Sequence, residues 1–440
     1  MYVMKFGGTS VGAPERMQGV ARLVSADKSR KIAVLSALSG TTNALVKIGE
    51  LIEGGDGAGA HSEIKLLREH YERFIEQLHG DPYRKNQTLR ETGESFRLIE
   101  DKLNVPYTED NTREILAQGE LMSTRIFSNY LTEAGIENVL LPALEFMFVD
   151  ENGEPDLRII REKLGEMLRQ YPENQLFVTQ GYICTNHLGR IDNLKRGGSD
   201  YSASLIGAAA GAELVQIWTD IDGMHNNDPR VVEKTFPIAE LSFNEASELA
   251  YFGAKILHPY TIIPARDHNI PVQLKNTMAP EAPGTLIHAA EGGSQVKAIA
   301  AKDGIIAIKI KSTRMLLAYG FLRKVFEIFE KYRTAVDMIT TSEVAVSLTI
   351  DNGRHLDAIT DELRTYGEVT VDLDQTIICI VGNRIVEKKG IVSNIFNALR
   401  RIPVRMISYG GSMYNISVLI EGTYKKEAMT SLNDWLFDLS

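Results

Sequence analysis

The sequence is poor in cysteine and in tryptophan, with two of each among 440 residues. Cys184 and Cys379 are far apart in the chain, which excludes a disulfide framework and indicates a reducing compartment. No stretch approaches the ~18 uninterrupted apolar residues of a transmembrane helix. No apolar segment of signal-peptide length precedes the first glycine turn, at Gly7. We therefore expect a cytoplasmic protein.

Positive charge is also in short supply. The chain has 48 Lys and Arg against 58 Asp and Glu, a formal net charge of −10, which disfavours nucleic acid and anionic membranes as partners. Hydrophobic residues make up 44% of the chain and charged residues 24%, the proportions of an ordinary globular protein. At roughly 150 residues per domain, the length allows about three domains.

The amino-terminal part alternates short β-branched runs with longer amphipathic segments, which predicts parallel strands joined by helices. The candidate strands cover 2–6, 32–37, 175–183, 214–219 and 270–274. A charged span over about 53–110, poor in β-branched residues, predicts a helical insertion. Periodicity breaks at a glycine-containing linker near 289–297. We assign residues 1–290 to one α/β domain.

Beyond the linker the sequence contains an internal repeat. The segment from Gly320 resembles the segment from Gly390 in its order of glycine, helix, strand, loop, strand and helix. A further strand precedes each copy, at 305–310 and at 376–381. Two βαββαβ units are predicted, over 298–375 and 376–440, with a strand at 304–311 completing the second.

The Lys5 to Gly8 motif follows a predicted strand and precedes a helix. Two residues without Cβ let backbone N–H groups close around an anion, the helix start adds a positive dipole, and the lysine adds a mobile charge. The spacing is not that of a Walker loop, and tight packing is the alternative explanation. A second turn, from Ser36 to Asn43, carries hydroxyls that could hold oxyanions, although capping of the next helix is the simpler expectation.

Three further segments have the residue types of a site for charged ligands. Arg196 to Asp200 combines a guanidinium suited to a carboxylate with two glycines and an acid at a helix start. Glu120 lies where a helix turns apolar, and residues 218–230 place acidic turns after a strand, where open α/β sheets bind ligands. Each has a plain alternative, since polar turns and an exposed glutamate at a helix start are common.

Taken together and in this order, the motifs resemble those of the aspartate kinases. The shared segments are Lys-Phe-Gly-Gly-Thr-Ser, Gln-Gly-Glu, Arg-Gly-Gly-Ser-Asp, Trp-Thr-Asp, Asp-Pro-Arg and Phe-Gly-Ala-Lys-Ile-Leu-His-Pro, followed by the tandem repeat. The resemblance spans essentially the whole chain. It implies an amino-acid kinase αβα sandwich with a mainly parallel sheet, followed by two ferredoxin-like ACT domains. Without a later dinucleotide-binding turn, the monofunctional members are the better match, and a fused homoserine dehydrogenase is not expected.

The resemblance also implies an activity, transfer of the ATP γ-phosphoryl group to the β-carboxylate of L-aspartate, the first step of lysine, threonine and methionine biosynthesis. A carboxylate with a pKa of ~3.9 is ionised at neutral pH, so the reaction needs no general base. It needs Lys, Arg, backbone N–H groups and Mg²⁺ to hold two anions in line. The Mg²⁺ is expected to be held mainly by the phosphates, without a protein metal site.

The resemblance assigns roles position by position, with Lys5 and Asp200 as the catalytic pair and Asp200 organising Lys5 or the metal. The implied aspartate contacts are Thr42, Glu120 on the α-ammonium, Arg196 on the α-carboxylate, Gly197, Gly198 and Ser199. The implied ATP contacts are Lys5, Phe6, Gly7, Gly8, Thr219, Asp220, His225, Arg230, Lys255 and Ile256. Related enzymes carry a tyrosine at the position of His225, which puts that single contact in doubt.

The first repeat resembles the effector pocket of lysine-inhibited members. The matching residues are Met315, Gly320, Phe321, Leu322, Val336, Asp337, Ser342 and Glu343. Asp337 and Glu343 would face the lysine ammonium, but Leu317 and Ala318 replace a histidine and a serine of that pocket. Lysine is the expected effector, with threonine or no effector as rivals. The ACT pair is also expected to join chains into a homodimer or a larger homo-oligomer.

Two alternatives stay open. One is another carboxylate or carbamate kinase of the same fold, whose substrate lacks the free α-ammonium that an acidic partner such as Glu120 would recognise. The other is a catalytically silent amino-acid sensor. The joint presence of Lys5, Arg196 and Asp200 argues against a sensor, because such a protein has no need of that triad.

Overall fold

The computed structural model describes residues 1–194, 197–253, 257–290, 292, 296–312 and 319–437. By its packing the chain divides into two compact units. The first comprises Met1–Met224 and Leu257–Ala289, and the second comprises His225–Ile256 and Ala290–Ser440. Within the described ranges, no helix combines the length and the apolar character needed to cross a membrane.

The strands and helices are numbered along the chain. The strands are β1 (Tyr2–Phe6), β2 (Lys31–Leu35), β3 (Val139–Leu141), β4 (Leu176–Gln180), β5 (Ile183–Thr185), β6 (Ile191–Asn193), β7 (Leu214–Thr219), β8 (Glu240–Ser242), β9 (Val272–Asn276), β10 (Thr285–His288), β11 (Val296–Lys311), β12 (Ile339–Thr341), β13 (Ala345–Ile350), β14 (Glu368–Gly382), β15 (Val404–Ser408) and β16 (Asn415–Glu421). The helices are α1 (Gly8–Val11), α2 (Pro14–Ser25), α3 (Thr41–Glu53), α4 (Gly57–Leu78), α5 (Pro82–Asp101), α6 (Glu109–Glu133), α7 (Leu157–Gln170), α8 (Gly198–Ala210), α9 (Phe243–Tyr251), α10 (Ile263–Asp267), α11 (Phe321–Lys331), α12 (Leu356–Leu363), α13 (Ile391–Ala398) and α14 (Lys425–Phe437).

Strands of the first unit form a sheet in the order β3, β4, β2, β1, β7, β9 and β10. The pairs from β3 to β9 are parallel, and β10 is antiparallel to β9. Strands β2 and β4 are buried at every residue, as expected when helices cover both faces of a parallel sheet. Strand β1 lies in the middle, with Phe6 opposite both Leu35 and Trp218. The carboxyl ends of β2, β1 and β7 therefore meet at one edge.

The predicted helical insertion is present as α4 and α5. Both begin at aspartate N-caps, Asp56 and Asp81, whose carboxylates accept backbone N–H groups of the first turn. Tyr71 of α4 and Phe96 of α5 pack edge to face, with ring centroids 5.7 Å apart. The Tyr71 hydroxyl forms a buried 3.0 Å hydrogen bond with Thr41 Oγ1, at the first residue of α3. The insertion thereby supports the turn that leads into α3.

The second unit holds an antiparallel sheet in the order β12, β13, β11, β14, β16 and β15. Strand β11 serves both repeats, with residues 306–311 paired to β13 and residues 298–302 paired to the carboxyl half of β14. The register shifts between Lys302 and Ile305, around Gly304 with φ of +70°. Residues 305–311 pair with β14 as well, from Ile305 opposite Gln375 to Lys311 opposite Glu368. One long strand is therefore shared, and the assignment of strand 304–311 to the second repeat stays a prediction.

Each repeat has its own hydrophobic core. In the first, Val325 and Phe329 of α11 pack with Leu348 of β13. In the second, Ile395 of α13 packs with Val418 of β16. The predicted pair of βαββαβ repeats is therefore present, with helices α11 and α12 serving one core and α13 and α14 the other.

The segment 225–256 belongs to the second unit. Hydrogen bonds from Asn433, on helix α14, hold part of this segment against that helix. Asn433 of α14 is fully buried. Its Oδ1 accepts hydrogen bonds from the side-chain amides of Asn226 (2.9 Å) and Asn227 (3.3 Å), and its Nδ2 donates to the carbonyl of Lys234 at 2.9 Å. One side chain thus satisfies three polar groups of the segment, two of them buried amides.

Replacing Asn433 by alanine should lower the free energy of unfolding by about 2–4 kcal/mol, because two buried amides lose their acceptor. Chemical denaturation of the full chain measures the change. Lys426→Ala, at an exposed position of the same helix, is the matched control and should change stability by less than about 0.5 kcal/mol. Equal stability of the two variants would contradict this description of the segment.

Candidate active site

Lys5 and Asp200, predicted as a catalytic pair, lie in contact. Lys5 Nζ is 2.6 Å from Asp200 Oδ1, and the two side chains are 12% and 19% exposed. Lys5 comes from the central strand β1, and Asp200 from the first turn of α8, which packs against β1. A Cβ on Gly7 would lie 3.4 Å from Lys5 Nζ. The lysine ammonium is therefore held beside the glycine turn by a largely buried carboxylate.

The glycine turn itself is closely packed. A Cβ on Gly8 would lie 2.9 Å from the carbonyl oxygen of Ala37, and the Gly7 N–H donates to the carbonyl of Trp218 at 3.3 Å. The helix that follows, α1, is a single turn of four residues. Its dipole is correspondingly small, so backbone N–H groups and Lys5 are the features that favour an anion here.

Glu120 is not an exposed residue of a helix start. It lies in the middle of α6, is 4% exposed, and its Oε1 accepts the backbone N–H of Ala37 at 3.1 Å. The preceding glycine makes this approach possible, since a Cβ on Gly119 would lie 2.9 Å from Ala37 Cβ. The alternative expectation, that Glu120 is an ordinary exposed glutamate at a helix start, is therefore wrong. Its carboxylate lies at the carboxyl end of β2.

The pKa of Glu120 is raised to about 7 by burial, which outweighs the hydrogen bond from Ala37 and the charge of Lys5. Behind it, Thr124 donates to the Glu120 carbonyl at 2.8 Å and accepts from Gln180 at 2.8 Å. The carboxyl group is therefore near half ionisation at neutral pH, and a cation placed beside it would favour the charged form.

The two hydroxyl-bearing turns meet through their serines. Ser36 Oγ donates to Ser199 Oγ at 2.9 Å, and a Cβ on Gly181 would lie 2.5 Å from Ser199 Oγ, so only glycine leaves that serine room. The implied contacts Gly197 and Gly198 lie at the start of α8, with Gly197 at φ of +68° as its N-cap. Arg196 lies outside the described residues, and its role on the α-carboxylate stays a prediction.

The expectation that a hydroxyl caps α3 is wrong. The N-cap is Gly40, at φ of +82°, and no side chain accepts a hydrogen bond there. Thr41 is turned to Tyr71, whereas Thr42, the implied aspartate contact, is exposed. The left-handed conformation of Gly40 therefore starts α3 without a side-chain cap.

Thr219 is the last residue of strand β7, and Asp220 follows it directly. Thr219 Oγ1 accepts the N–H of Ile221 at 3.2 Å, and its carbonyl accepts the N–H of Thr277 at 2.8 Å. Sequence reasoning did not single out Thr277, whose hydroxyl lies 2.7 Å from that of the fully buried Ser10. Its position directly after strand β9, at the same edge of the sheet, is the signal that could have identified it.

Tyr182 is a second residue that the sequence did not reveal. It has φ of +66°, a conformation that a non-glycine residue adopts at a cost and that occurs often at functional sites. Its N–H donates to Ser202 Oγ at 2.8 Å, and its carbonyl accepts the N–H of Leu194 at 2.8 Å. Burial, and then the charge of Glu120, raise the pKa of its phenol to about 12. The only sequence signal is its place just after β4.

Several implied contacts lie in the second unit. His225 contacts Thr235, with 3.2 Å between Nδ1 and Oγ1, and Arg230 is exposed and donates twice to Asp228, at 2.9 and 2.8 Å. Lys255 and Ile256 lie outside the described residues. The ATP contacts assigned to these four positions stay predictions.

The implied effector residues lie around the start of α11 and strand β12. Gly320, at φ of +81°, is the N-cap of α11, whose first residues are the buried Phe321 and the exposed Leu322. Met315, Leu317 and Ala318 lie outside the described residues.

The remaining effector candidates lie nearby in the chain. Val336 and Asp337 lie just before β12, separated from it by Met338, and the Asp337 side chain is 2% exposed. Ser342 and Glu343 form the turn to β13, closed by a 2.8 Å bond from Ser342 N–H to the Ala345 carbonyl. Asp337 is thus the buried carboxylate among them.

Comparison with known proteins identifies the family to which the chain belongs. A model of the amino acid kinase family matches residues 1–276, and an ACT domain model matches residues 378–436. The chain belongs to the amino acid kinase family. Within it, lysine-sensitive aspartokinase 3 of Escherichia coli is 33% identical over 99% of both chains.

Solved structures agree with the sequence comparison. The E. coli aspartokinase III complex with aspartate and ADP has a TM-score of 0.83 at 32% identity, covering 99% of this chain and 100% of that one. The complex of the same enzyme with lysine and aspartate has a TM-score of 0.82 at 33% identity, covering 99% of each chain. The predicted fold and the resemblance to the aspartate kinases are confirmed.

The raised pKa of Glu120 predicts how stability changes with pH. The folded state holds the proton up to about pH 7, while the unfolded chain releases it near pH ~4.3, so this carboxyl group costs stability as the pH rises between these values. Relative to wild type, Glu120→Gln should gain about 2 kcal/mol of unfolding free energy between pH 5 and pH 8. Urea denaturation at both pH values measures the difference. A constant difference would show that Glu120 is ionised throughout.

Proposed function

We propose that the protein is an aspartokinase, which transfers the γ-phosphoryl group of ATP to the β-carboxylate of L-aspartate. The observation that carries the proposal is the Lys5–Asp200 pair beside the glycine turn, with the carboxylate of Glu120 buried at the end of the neighbouring strand. This edge of the sheet offers a fixed cation for phosphate and a buried carboxyl group that can pair with an amino group. Full-length similarity to an aspartokinase with aspartate and ADP supports it.

The chemistry follows from these charges. The β-carboxylate of aspartate is ionised at neutral pH and attacks the γ-phosphorus without a base, and ADP leaves. Lys5 stabilises the negative charge of the transferred group, and Asp200 acts by orienting Lys5. Asp200 is not the base, because its carboxylate is engaged with the ammonium at 2.6 Å. Preorganised cations of this kind contribute to catalysis because they need no reorientation during the reaction.

We propose that a magnesium ion would be held mainly by the phosphate oxygens of ATP. Asp200, whose carboxylate lies 2.6 Å from Lys5 Nζ, offers the oxygen chemistry that magnesium prefers and would be the protein group that assists. When bound, the ion neutralises charge on the phosphates.

Glu120 distinguishes this substrate from the alternatives. A buried carboxylate with a raised pKa suits a ligand that brings its own cation, as the free α-ammonium of aspartate does. An acylated amino acid or a carbamate has no such group. A silent sensor would not need the Lys5–Asp200 pair. Arg196 is proposed to complete the site by binding the α-carboxylate.

Regulation by lysine through the first repeat is the proposed control. Asp337 offers a buried carboxylate, and the similar E. coli enzyme is named lysine-sensitive and has a complex with lysine.

We propose further that the chain acts in the cytoplasm, where its two buried cysteines stay reduced. We also propose that it forms a homo-oligomer through the ACT repeats.

Hydroxylamine trapping tests the proposed reaction. An acyl phosphate formed from the acceptor reacts with hydroxylamine to give a coloured hydroxamate. The purified chain, with MgATP, should yield hydroxamate from L-aspartate and none from N-acetyl-L-aspartate or carbamate. Product from the acetylated acceptor would indicate another kinase of this fold, and no product from any acceptor would indicate a sensor.

Lys5→Ala should reduce kcat by about a hundredfold to a thousandfold, because it removes a preorganised cation from the transferred group. The hydroxamate assay measures the loss, and an unchanged circular dichroism spectrum shows that the variant folds. Lys47→Ala, at a lysine of α3 whose side chain is 58% exposed, is the control and should retain full activity. Turnover at the wild-type rate by Lys5→Ala would refute the assigned role.

Aspartate affinity should depend on the ionisation of Glu120. Below about pH 7 the carboxyl group is mainly protonated and cannot pair with the α-ammonium, so affinity falls as the pH falls. The KM for aspartate should rise about tenfold from pH 8 to pH 6, while the KM for ATP changes little. Glu120→Gln should show a high KM at both values. The same pH dependence in that variant would assign the titration to another group.

A further inference from the structure

Tyr71, on helix α4 of the insertion, reaches the turn that leads into α3. Its hydroxyl and Thr41 Oγ1 share a 3.0 Å hydrogen bond. Both residues are 1% exposed, so water does not replace this bond if it is lost. Burial raises the pKa of the Tyr71 phenol, and the charge of Glu120 adds to the rise. The hydroxyl therefore keeps its proton at neutral pH and stays a neutral hydrogen-bonding group.

Thr41 lies between the insertion and helix α6. Its hydroxyl faces Tyr71, whereas its methyl group lies beside Gly119, where an added Cβ would be 3.3 Å from Thr41 Cγ2. The hydroxyl and the methyl group are attached to the same carbon atom, so a hydrogen bond that fixes one also fixes the other. Tyr71 therefore determines which group Thr41 presents to α6.

Helix α6 holds the turn 36–42, the acceptor turn, at two other points. Ser123 Oγ donates to the carbonyl of Ser36 at 2.8 Å, and Glu120 accepts the N–H of Ala37 at 3.1 Å. These contacts lie beside the carboxyl group that is proposed to pair with the α-ammonium of the acceptor. The spacing between the acceptor turn and α6 therefore bears directly on the acceptor site.

We propose that Tyr71 is a positioning residue for the amino-acid acceptor. Its hydroxyl fixes Thr41, and Thr41 sets the spacing between the acceptor turn and α6 on which the contact between Ala37 and Glu120 depends. Tyr71 is buried behind Thr41 and acts through the turn, without touching the substrate. This inference rests on the proposed function, which makes aspartate the ligand of Glu120.

The physical basis is the cost of a buried hydroxyl without a partner. Without its hydrogen bond to the insertion, Thr41 rotates toward another partner, and its methyl group leaves its place beside Gly119. The acceptor turn then shifts relative to Glu120. Lys5 and Asp200 lie on β1 and α8 and keep their contact. Acceptor binding should therefore weaken more than nucleotide binding or the chemical step.

Steady-state kinetics of Tyr71→Phe, Thr41→Val and the double variant test the proposal. Each single change removes one hydroxyl and keeps the shape of the side chain. Each should raise the KM for L-aspartate about fivefold, as expected for the loss of one neutral hydrogen bond, while kcat and the KM for ATP change less than about twofold. The double variant should be no worse than either single variant, because both changes remove the same bond.

Thr92→Val is the matched control. It also removes a buried hydroxyl of the insertion, one that donates within its own helix to the Thr88 carbonyl at 2.8 Å. A merely structural hydroxyl lowers stability without changing the KM, so this variant should keep the wild-type KM for aspartate. Three kinetic results overturn the proposal: a wild-type KM in Tyr71→Phe, the same rise in KM in Thr92→Val, or additive effects in the double variant.

Hydrogen exchange of the full chain without substrates gives a second readout that does not depend on the reaction. Amides of the acceptor turn, that of Ala37 included, should exchange about fivefold faster in Tyr71→Phe than in wild type, and at the wild-type rate in Thr92→Val. Equal protection in all three proteins would overturn the proposal. If the wild type fails to phosphorylate aspartate, the proposed reaction is refuted, whereas this comparison still decides whether Tyr71 holds the turn.

Discussion

The ion pair between Lys5 and Asp200 is the constraint on which the site depends. An ammonium that is 12% exposed needs a counter-charge, and the order of the parallel sheet supplies it by placing α8 against the central strand β1. Gly7 then lets the ammonium lie beside the turn where a phosphate would bind. A cation held in this way is available to a transferred phosphoryl group without reorientation.

Glu120 provides the opposite charge within the same unit. The chain as a whole is acidic, with a formal net charge of −10, yet both proposed substrates are anions. Net charge alone would therefore not predict that the protein binds these substrates. The resolution is local: one buried carboxylate suits the ammonium of the amino acid, and Lys5, with backbone N–H groups beside it, suits the phosphates.

Much of the fold was predictable because strand and helix patterns repeat regularly. Buried β-branched runs identified the parallel sheet, and the resemblance to the aspartate kinases implied that Asp200 organises Lys5 or the metal. The burial of Glu120 was not predictable, because it depends on how closely Gly119 approaches Ala37. The sharing of β11 between two repeats was missed, because a register shift leaves no periodic signal.

Isotope transfer tests the central claim, attack by the β-carboxylate on ATP, most directly. L-aspartate labelled with oxygen-18 in that carboxylate is incubated with the protein, MgATP and hydroxylamine. Hydroxylamine attacks the carbonyl carbon of the acyl phosphate, so the bridging oxygen leaves with phosphate. Phosphorus NMR should show one labelled oxygen in each released phosphate. Unlabelled phosphate would mean that water, and not aspartate, accepts the phosphoryl group, and would contradict the account.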